Sequence, residues 1–135
     1  MRLLVDTNVL VYDTVEDSGY HDRARRIIDE ADEVAVPSIV LYEYIWVMYK
    51  LARVAPEFIS LKIEEYFEDP RIIFLPDQLR FIHSALRMLK EDNASLREIN
   101  DYIILASTLH YNLALATFDK KLIKRALKRG VKVVS

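Results

Sequence analysis

The chain has no cysteine, two glycines and four prolines among its 135 residues. Without cysteine, disulfides, thiolate catalysis and Cys-based zinc ribbons are excluded. Gly19 and Gly130 stand alone, so neither the dinucleotide fingerprint nor a Walker-type loop can be built. Long uncharged apolar runs are missing too. The most apolar stretches carry Glu43, Lys50 or Asp101, and none reads as a membrane span. Near the N-terminus Arg2 is followed by only three apolar residues before Asp6, too few for the apolar core of a signal peptide. The expectation is a cytoplasmic protein with no membrane partner. Repeats, low-complexity runs and linkers are also absent, so residues 1–135 are expected to form one domain. What remains is 52% hydrophobic and 30% charged, the profile of a soluble globular chain long enough to bury a core.

Short apolar segments alternate with longer amphipathic ones. Strands are expected at Leu3–Val5, Val34–Val36, Ile72–Leu75, Leu113–Thr117 and Val131–Val134. Helical patterns lie between them. "YHDRARRIIDEAD" is amphipathic, and "SIVLYEYIWVMYKLARV" has Ser38 as its expected N-cap. "PEFISLKIEEYFED" opens on Pro56, a first-turn residue. "DQLRFIHSALRMLKED" puts Leu79, Ile82, Leu86 and Leu89 on one face, with Asp77 as expected cap. "NDYIILASTLHYN", capped by Asn100, and "DKKLIKRALKRG", ended by Gly130, complete the set. Alternation of this kind specifies an α/β fold with a mainly parallel sheet. The helix from Ser38 to Val54 is apolar on more than one side, which leaves surplus apolar surface for another chain.

Charge is unevenly distributed. Residues 119–135 hold seven Lys/Arg and one acid, a local charge of +6, which leaves −8 on the rest of a chain whose net charge is −2. Lys120, Lys121, Lys124 and Arg125 follow Asp119 directly and are expected to border any site built there, as phosphate-binding groups.

The acids then fall into place. In a parallel sheet with right-handed crossovers, residues just after a strand or at the start of a returning helix share one edge. Binding sites lie at that edge. Asp6 follows the first strand, Glu43 lies early in the helix after the second, Asp101 opens the helix returning to the fourth, and Asp119 follows the fourth. Glu43 is the most telling, because it stands between Tyr42 and Tyr44 in an almost wholly apolar helix, where a carboxylate needs a partner. Four converging carboxylates repel one another unless a cation neutralises them. Oxygen-only ligands suit Mg²⁺ or Mn²⁺, one ion or two. Such an ion can bind a phosphate oxygen and activate a water, which cleaves phosphodiesters without a nucleophilic side chain. His21, His83 and His110 share no ligand spacing and are read as surface or half-buried residues.

The pieces "LLVDTNVL", "VPSIVLYEYIWV", "INDYIILASTLHYN" and "LATFDKKL" occur in the order found in PIN-domain ribonucleases, and the chain resembles the VapC-type toxins of toxin–antitoxin pairs from Met1 to Ser135. The resemblance implies a three-layer α/β/α sandwich with a five-stranded parallel sheet. It implies a metal-dependent endoribonuclease acting on single-stranded RNA, with Asp6, Glu43, Asp101 and Asp119 as metal-binding acids. Thr7, Asn8 and Thr117 match the polar residues beside those acids. A homodimer and an antitoxin partner are implied as well. One departure is Phe118, where relatives commonly carry a small polar residue.

Other readings fit less of the chain. A PIN-type RNA-processing nuclease without an antitoxin would use the same acids. A haloacid-dehalogenase-like phosphohydrolase needs a second Asp two residues after the first, where this chain has Asn8. A receiver-like signalling module needs an acceptor Asp after the third strand, which here runs into Pro76 with Asp77 beyond. Metal-dependent RNA cleavage, turnover of small phosphate esters, or uptake of label from a phosphodonor separates the classes.

Overall fold

The computed structural model describes residues 1–135 as β1 (Arg2–Val5), α1 (Thr7–Thr14), α2 (His21–Glu30), β2 (Glu33–Pro37), α3 (Ser38–Lys50), α4 (Pro56–Glu68), β3 (Ile72–Leu75), α5 (Leu79–Glu91), a 3₁₀ turn (Leu96–Glu98), α6 (Ile99–His110), β4 (Ala114–Ala116), α7 (Lys120–Lys128) and β5 (Val133–Val134). All five strands pair in parallel, in the order β3-β2-β1-β4-β5. The central β1 is buried from Leu3 to Val5, so it reads as an unbroken apolar run rather than an alternation. From β1 the chain steps outward to β2 and β3, then returns to the opposite side of β1 as β4. Right-handed crossovers therefore put α1 to α4 on one face of the sheet and α5 to α7 on the other. α5 packs on α6, and α1 packs on α2 and α3. No helix is long and apolar enough to cross a membrane.

All five expected strands form, with the fourth and fifth shorter than their apolar runs. One helix was not legible. α1 begins at Thr7, straight after Asp6, and its residues continue the apolar character of the strand, so no periodicity marks the change. Three expected caps are displaced. Pro37, Gln78 and Glu98 flank α3, α5 and α6, and none of these helices has a side-chain cap. Ser38 instead accepts the Asp77 N–H at 3.0 Å, fastening the end of β3 to the start of α3. Gly130 does end α7, with φ +76. Asn93 and Asn112 adopt φ 52 after α5 and α6, the left-handed geometry that asparagine tolerates at helix ends.

Three of the four residues of the apolar stripe read on α5 are turned outward, and only Leu89 is buried. Leu79 is 69% exposed and Ile82 and Leu86 are also open, whereas Phe81, Ala85, Met88 and Leu89 enter the core. On α3, Val40, Tyr44 and Met48 are buried while Tyr42, Trp46 and Tyr49 are exposed, as is Leu51 just after the helix.

Candidate active site

β1 and β4 lie side by side, and the chain leaves them in opposite directions. That topological switch point opens a crevice beyond their carboxyl ends. Asp6 stands in it, 5% exposed. Its Oδ1 accepts the Thr7 N–H at 2.7 Å, which makes it the N-cap of α1. Its Oδ2 accepts from the Thr117 hydroxyl at 2.7 Å and from Asn8 Nδ2 at 3.1 Å. Thr117 Oγ1 in turn accepts the Asp119 N–H at 3.1 Å. One buried hydroxyl thus ties the two acids across the crevice. Asn8 Oδ1 accepts the Phe118 N–H at 3.2 Å and adds a second tie.

Asp119 caps α7, its Oδ1 accepting from Lys121 N at 2.9 Å and Leu122 N at 3.3 Å. Glu43, in the second turn of α3, accepts from Thr7 Oγ1 at 2.7 Å and from Asn100 Nδ2 at 3.4 Å. Asp101 lies in the first turn of α6, where the helix dipole favours a carboxylate. The four acids, with Thr7 and Asn8, line a cavity of about 330 Å³. Val11, Val47 and Leu51 contribute its apolar wall.

The electrostatics are those of a site short of positive charge. Burial pushes the Asp6 carboxyl up to about 6, against the hydrogen bonds from Thr117 and Thr7, and the charges of Glu43 and Asp119 add to the rise. Asp101 is pushed up to about 7, first by burial and then by Asp6, Asp119 and Glu43, with Arg125 opposing. The donors are all oxygens, the set that a hard divalent cation takes. As they stand, no three of the carboxylates are near enough to ligate one ion together. Asp6 and Glu43 spend their oxygens on Thr7, Asn8, Thr117 and Asn100. The chemistry of the donor set fits a divalent cation, whose charge would offset the repulsion.

None of the expected basic residues lines this cavity. Lys121, Lys124, Arg125 and Lys128, spaced along one face of α7, line a separate cavity of about 290 Å³ together with Asp92. Lys121 and Arg125 are paired with Glu98, at 3.5 and 2.7 Å, and the Arg125 guanidinium lies 4.8 Å from the centroid of the Tyr102 ring. Lys120 is exposed. Sequence reasoning missed two residues here. Asn100 reaches Glu43 rather than capping α6, and Tyr12 joins the cavity wall from the unread helix α1. A hint for Asn100 was its place one residue before Asp101.

The Thr117 hydroxyl can be tested by itself. Thr117→Val keeps the shape but removes the donor to Asp6 and the acceptor for Asp119. A buried hydrogen bond to a charged group contributes roughly 1.5–3 kcal/mol, so the variant should lose about 2 kcal/mol. The Asp6 carboxyl should titrate still higher, because this bond favours its ionised form. Thermal melting at pH 7 checks the loss, and an unchanged Tm would remove Thr117 from this role.

The model of the PIN domain family matches residues 3–128. No match was found among curated protein sequences. Among solved structures, the chain is similar to VapC20 of Mycobacterium tuberculosis, a sarcin–ricin loop cleaving toxin, with 14% identity, TM-score 0.77, and coverage of 90% of this chain and 93% of that one. It is also similar to a chain of DNA-bound VapBC from Salmonella typhimurium, with 18% identity, TM-score 0.72 and coverage of 99% and 97%. A third is PAE2754 of Pyrobaculum aerophilum, with 20% identity, TM-score 0.66 and coverage of 99% and 84%.

Proposed function

The chain belongs to the PIN domain family, and from that premise we propose that it is a Mg²⁺- or Mn²⁺-dependent endoribonuclease that cuts single-stranded RNA and acts as the toxin of a VapBC-type pair. The observation that carries this reading is Asp101. Its carboxyl faces a cavity shared with three other acids, accepts no hydrogen bond from the protein and is pushed up by those acids more than Arg125 offsets, so positive charge placed in the cavity favours its ionised form. When bound, a divalent cation would supply that charge and acidify an attacking water. Asp6, Glu43, Asp101 and Asp119 would hold it. Thr7, Asn8, Thr117 and Asn100 now hold the oxygens of Asp6 and Glu43, so a bound cation would draw these acids together in exchange for some of those bonds. Lys120, Lys121, Lys124 and Arg125 are assigned to RNA phosphates beyond the cavity, where contacts of this type make affinity fall with salt. The apolar residues left open on α3 and α5, Trp46 and Leu79 among them, supply surface for a second copy and for an antitoxin segment.

Metal and product analysis test the proposal together. Mg²⁺ or Mn²⁺ at about 100 times its Kd should stabilise the fold by about 2.7 kcal/mol, a Tm rise of roughly 5–15 °C. Asp101→Asn should shrink that rise. An attacking water needs no 2′-hydroxyl, so cleaved RNA should carry 5′-phosphate and 3′-hydroxyl ends. Full activity in chelator, or 2′,3′-cyclic phosphate ends, would overturn the mechanism.

A further inference from the structure

Three rings meet beside the acidic cavity. Tyr12, which lines the cavity from α1, stacks on Tyr20 with centroids 5.0 Å apart and planes 22° from parallel. Phe118 lies 5.8 Å from Tyr12 and 5.1 Å from Tyr20. The Arg23 guanidinium sits 5.7 Å from the Tyr20 centroid and 5.2 Å from that of Phe118. Two residues on, Arg25 pairs with Asp13 at 2.8 Å; Arg23 has no carboxylate partner and rests on the rings instead. The cluster lies at the rim of the molecule, with Tyr20 43% exposed. The cluster therefore presents aromatic edges and a guanidinium to solvent beside the acidic cavity.

The cluster is coupled to the acids. Phe118 stands between Thr117, which donates to Asp6, and Asp119, and its own N–H is held by Asn8. An RNA phosphate drawn to the acidic cavity would carry its neighbouring base to within a nucleotide of these rings. We propose that Tyr20, Phe118 and Arg23 form a stacking subsite for one unpaired nucleobase of the RNA. This rests on the ribonuclease reading above and adds to it a recognition element supplied by this chain's own residues. Aromatic faces and guanidinium planes are the surfaces on which splayed-out bases stack, and they accept any base because each has a π-face. Splaying out a paired base costs a few kcal/mol of unpairing and unstacking, so the subsite also gives the single-strand preference a physical basis. Tyr12 joins the stack to the cavity wall, and Phe118 joins it to the segment between Thr117 and Asp119.

The test uses the full chain and a single-stranded oligoribonucleotide with 2-aminopurine placed at each position in turn. One position, next to the cleaved bond, should show quenched fluorescence on binding. Tyr20→Leu should relieve that quenching and weaken binding about tenfold, within the range measured for base–aromatic contacts. Phe118→Leu, which keeps apolar bulk, guards against simple misfolding and should act in the same direction. An oligonucleotide abasic at that position should bind the wild type about tenfold more weakly, and Tyr20→Leu should weaken it no further, as a shared interaction requires. If RNA is bound and cut but no position is quenched, or if Tyr20→Leu costs the abasic and intact strands equally, the subsite is wrong and the ribonuclease reading stands. If no RNA is bound or cut at all, both fall.

Discussion

Asp6→Asn should reduce RNA cleavage at least about a hundredfold, the usual effect of deleting a preorganised charge at a reacting phosphate. In the absence of added cation it should also make the protein more stable at neutral pH. Burial raises the Asp6 carboxyl from 3.8 to about 6. The native state therefore holds a proton that the unfolded chain has released. The stability associated with this group is complete below about pH 4 and is lost as pH rises through 6. Above that, ionised Asp6 costs about 3 kcal/mol, each pKa unit corresponding to ~1.4 kcal/mol. Asn carries no such penalty, but it keeps one acceptor oxygen where Asp6 uses two, which returns about 1–2 kcal/mol of the gain. Melting curves between pH 4 and 8 should show the wild type losing stability toward neutrality and Asp6→Asn staying flatter. Mg²⁺ should restore the wild type at pH 7 and leave the variant unchanged. Wild-type cleavage rates in Asp6→Asn would remove Asp6 from the chemistry.

The second large effect lies away from the acids, at Asp92. This residue follows α5, where the negative end of the helix dipole opposes a carboxylate. It is held there by donors from two other helices. Arg129 grips it with two bonds of 3.1 and 3.0 Å, Lys128 Nζ donates at 2.6 Å, and the Tyr102 hydroxyl donates at 2.7 Å. The Asp92 and Arg129 side chains are only 9% and 13% exposed. The Arg129 bond, ahead of Lys128 and Tyr102, holds the Asp92 carboxyl well below the usual carboxylate range. Because that pKa is depressed, the stability it supplies is present above about pH 4 and is lost as pH falls. Asp92→Ala would leave the Tyr102 hydroxyl without its acceptor and Arg129 with only the Met88 carbonyl at 3.4 Å and Glu91 at 3.5 Å, at a cost of about 3 kcal/mol. Tm should fall by roughly 10 °C, and Asp92→Asn should fall less because it retains acceptors. The acid-denaturation limb should become shallower in both. Since α7 carries Asp119 at its start, cleavage should suffer along with stability. A Tm within a degree of the wild type would refute this account of how α7 is anchored.

Much of this architecture follows from local pattern. Five apolar runs separated by amphipathic stretches specify parallel strands and crossover helices, because the periods of strand and helix differ and each element must bury one side. That pattern also fixes which ends of the strands share an edge, so Asp6, Glu43, Asp101 and Asp119 could be placed in one cavity from their positions in the chain alone. Partners, by contrast, were decided by packing. Ser38, Asp77 and Asn100 read as helix caps, since capping is what such residues do locally, yet Ser38 binds across to the Asp77 N–H and Asn100 to Glu43 because those groups arrive from other elements. Leu79, Ile82 and Leu86 share a face by periodicity, but the packing of α5 on α6 brings Phe81, Ala85 and Met88 into the core instead. The basic residues of α7 adjoin Asp119 in sequence, and helical rotation carries Lys121, Lys124 and Arg125 to a cavity of their own. Phe118 was visible only as a departure from a pattern. Its meeting with Tyr12, Tyr20 and Arg23 required three segments to be brought within 6 Å, which only the folded sheet and its loops can do. Sequence encodes the element and the edge because those depend on a residue's own neighbours along the chain. Side-chain partners depend on the rigid placement of whole elements, and that is set by the core as a unit.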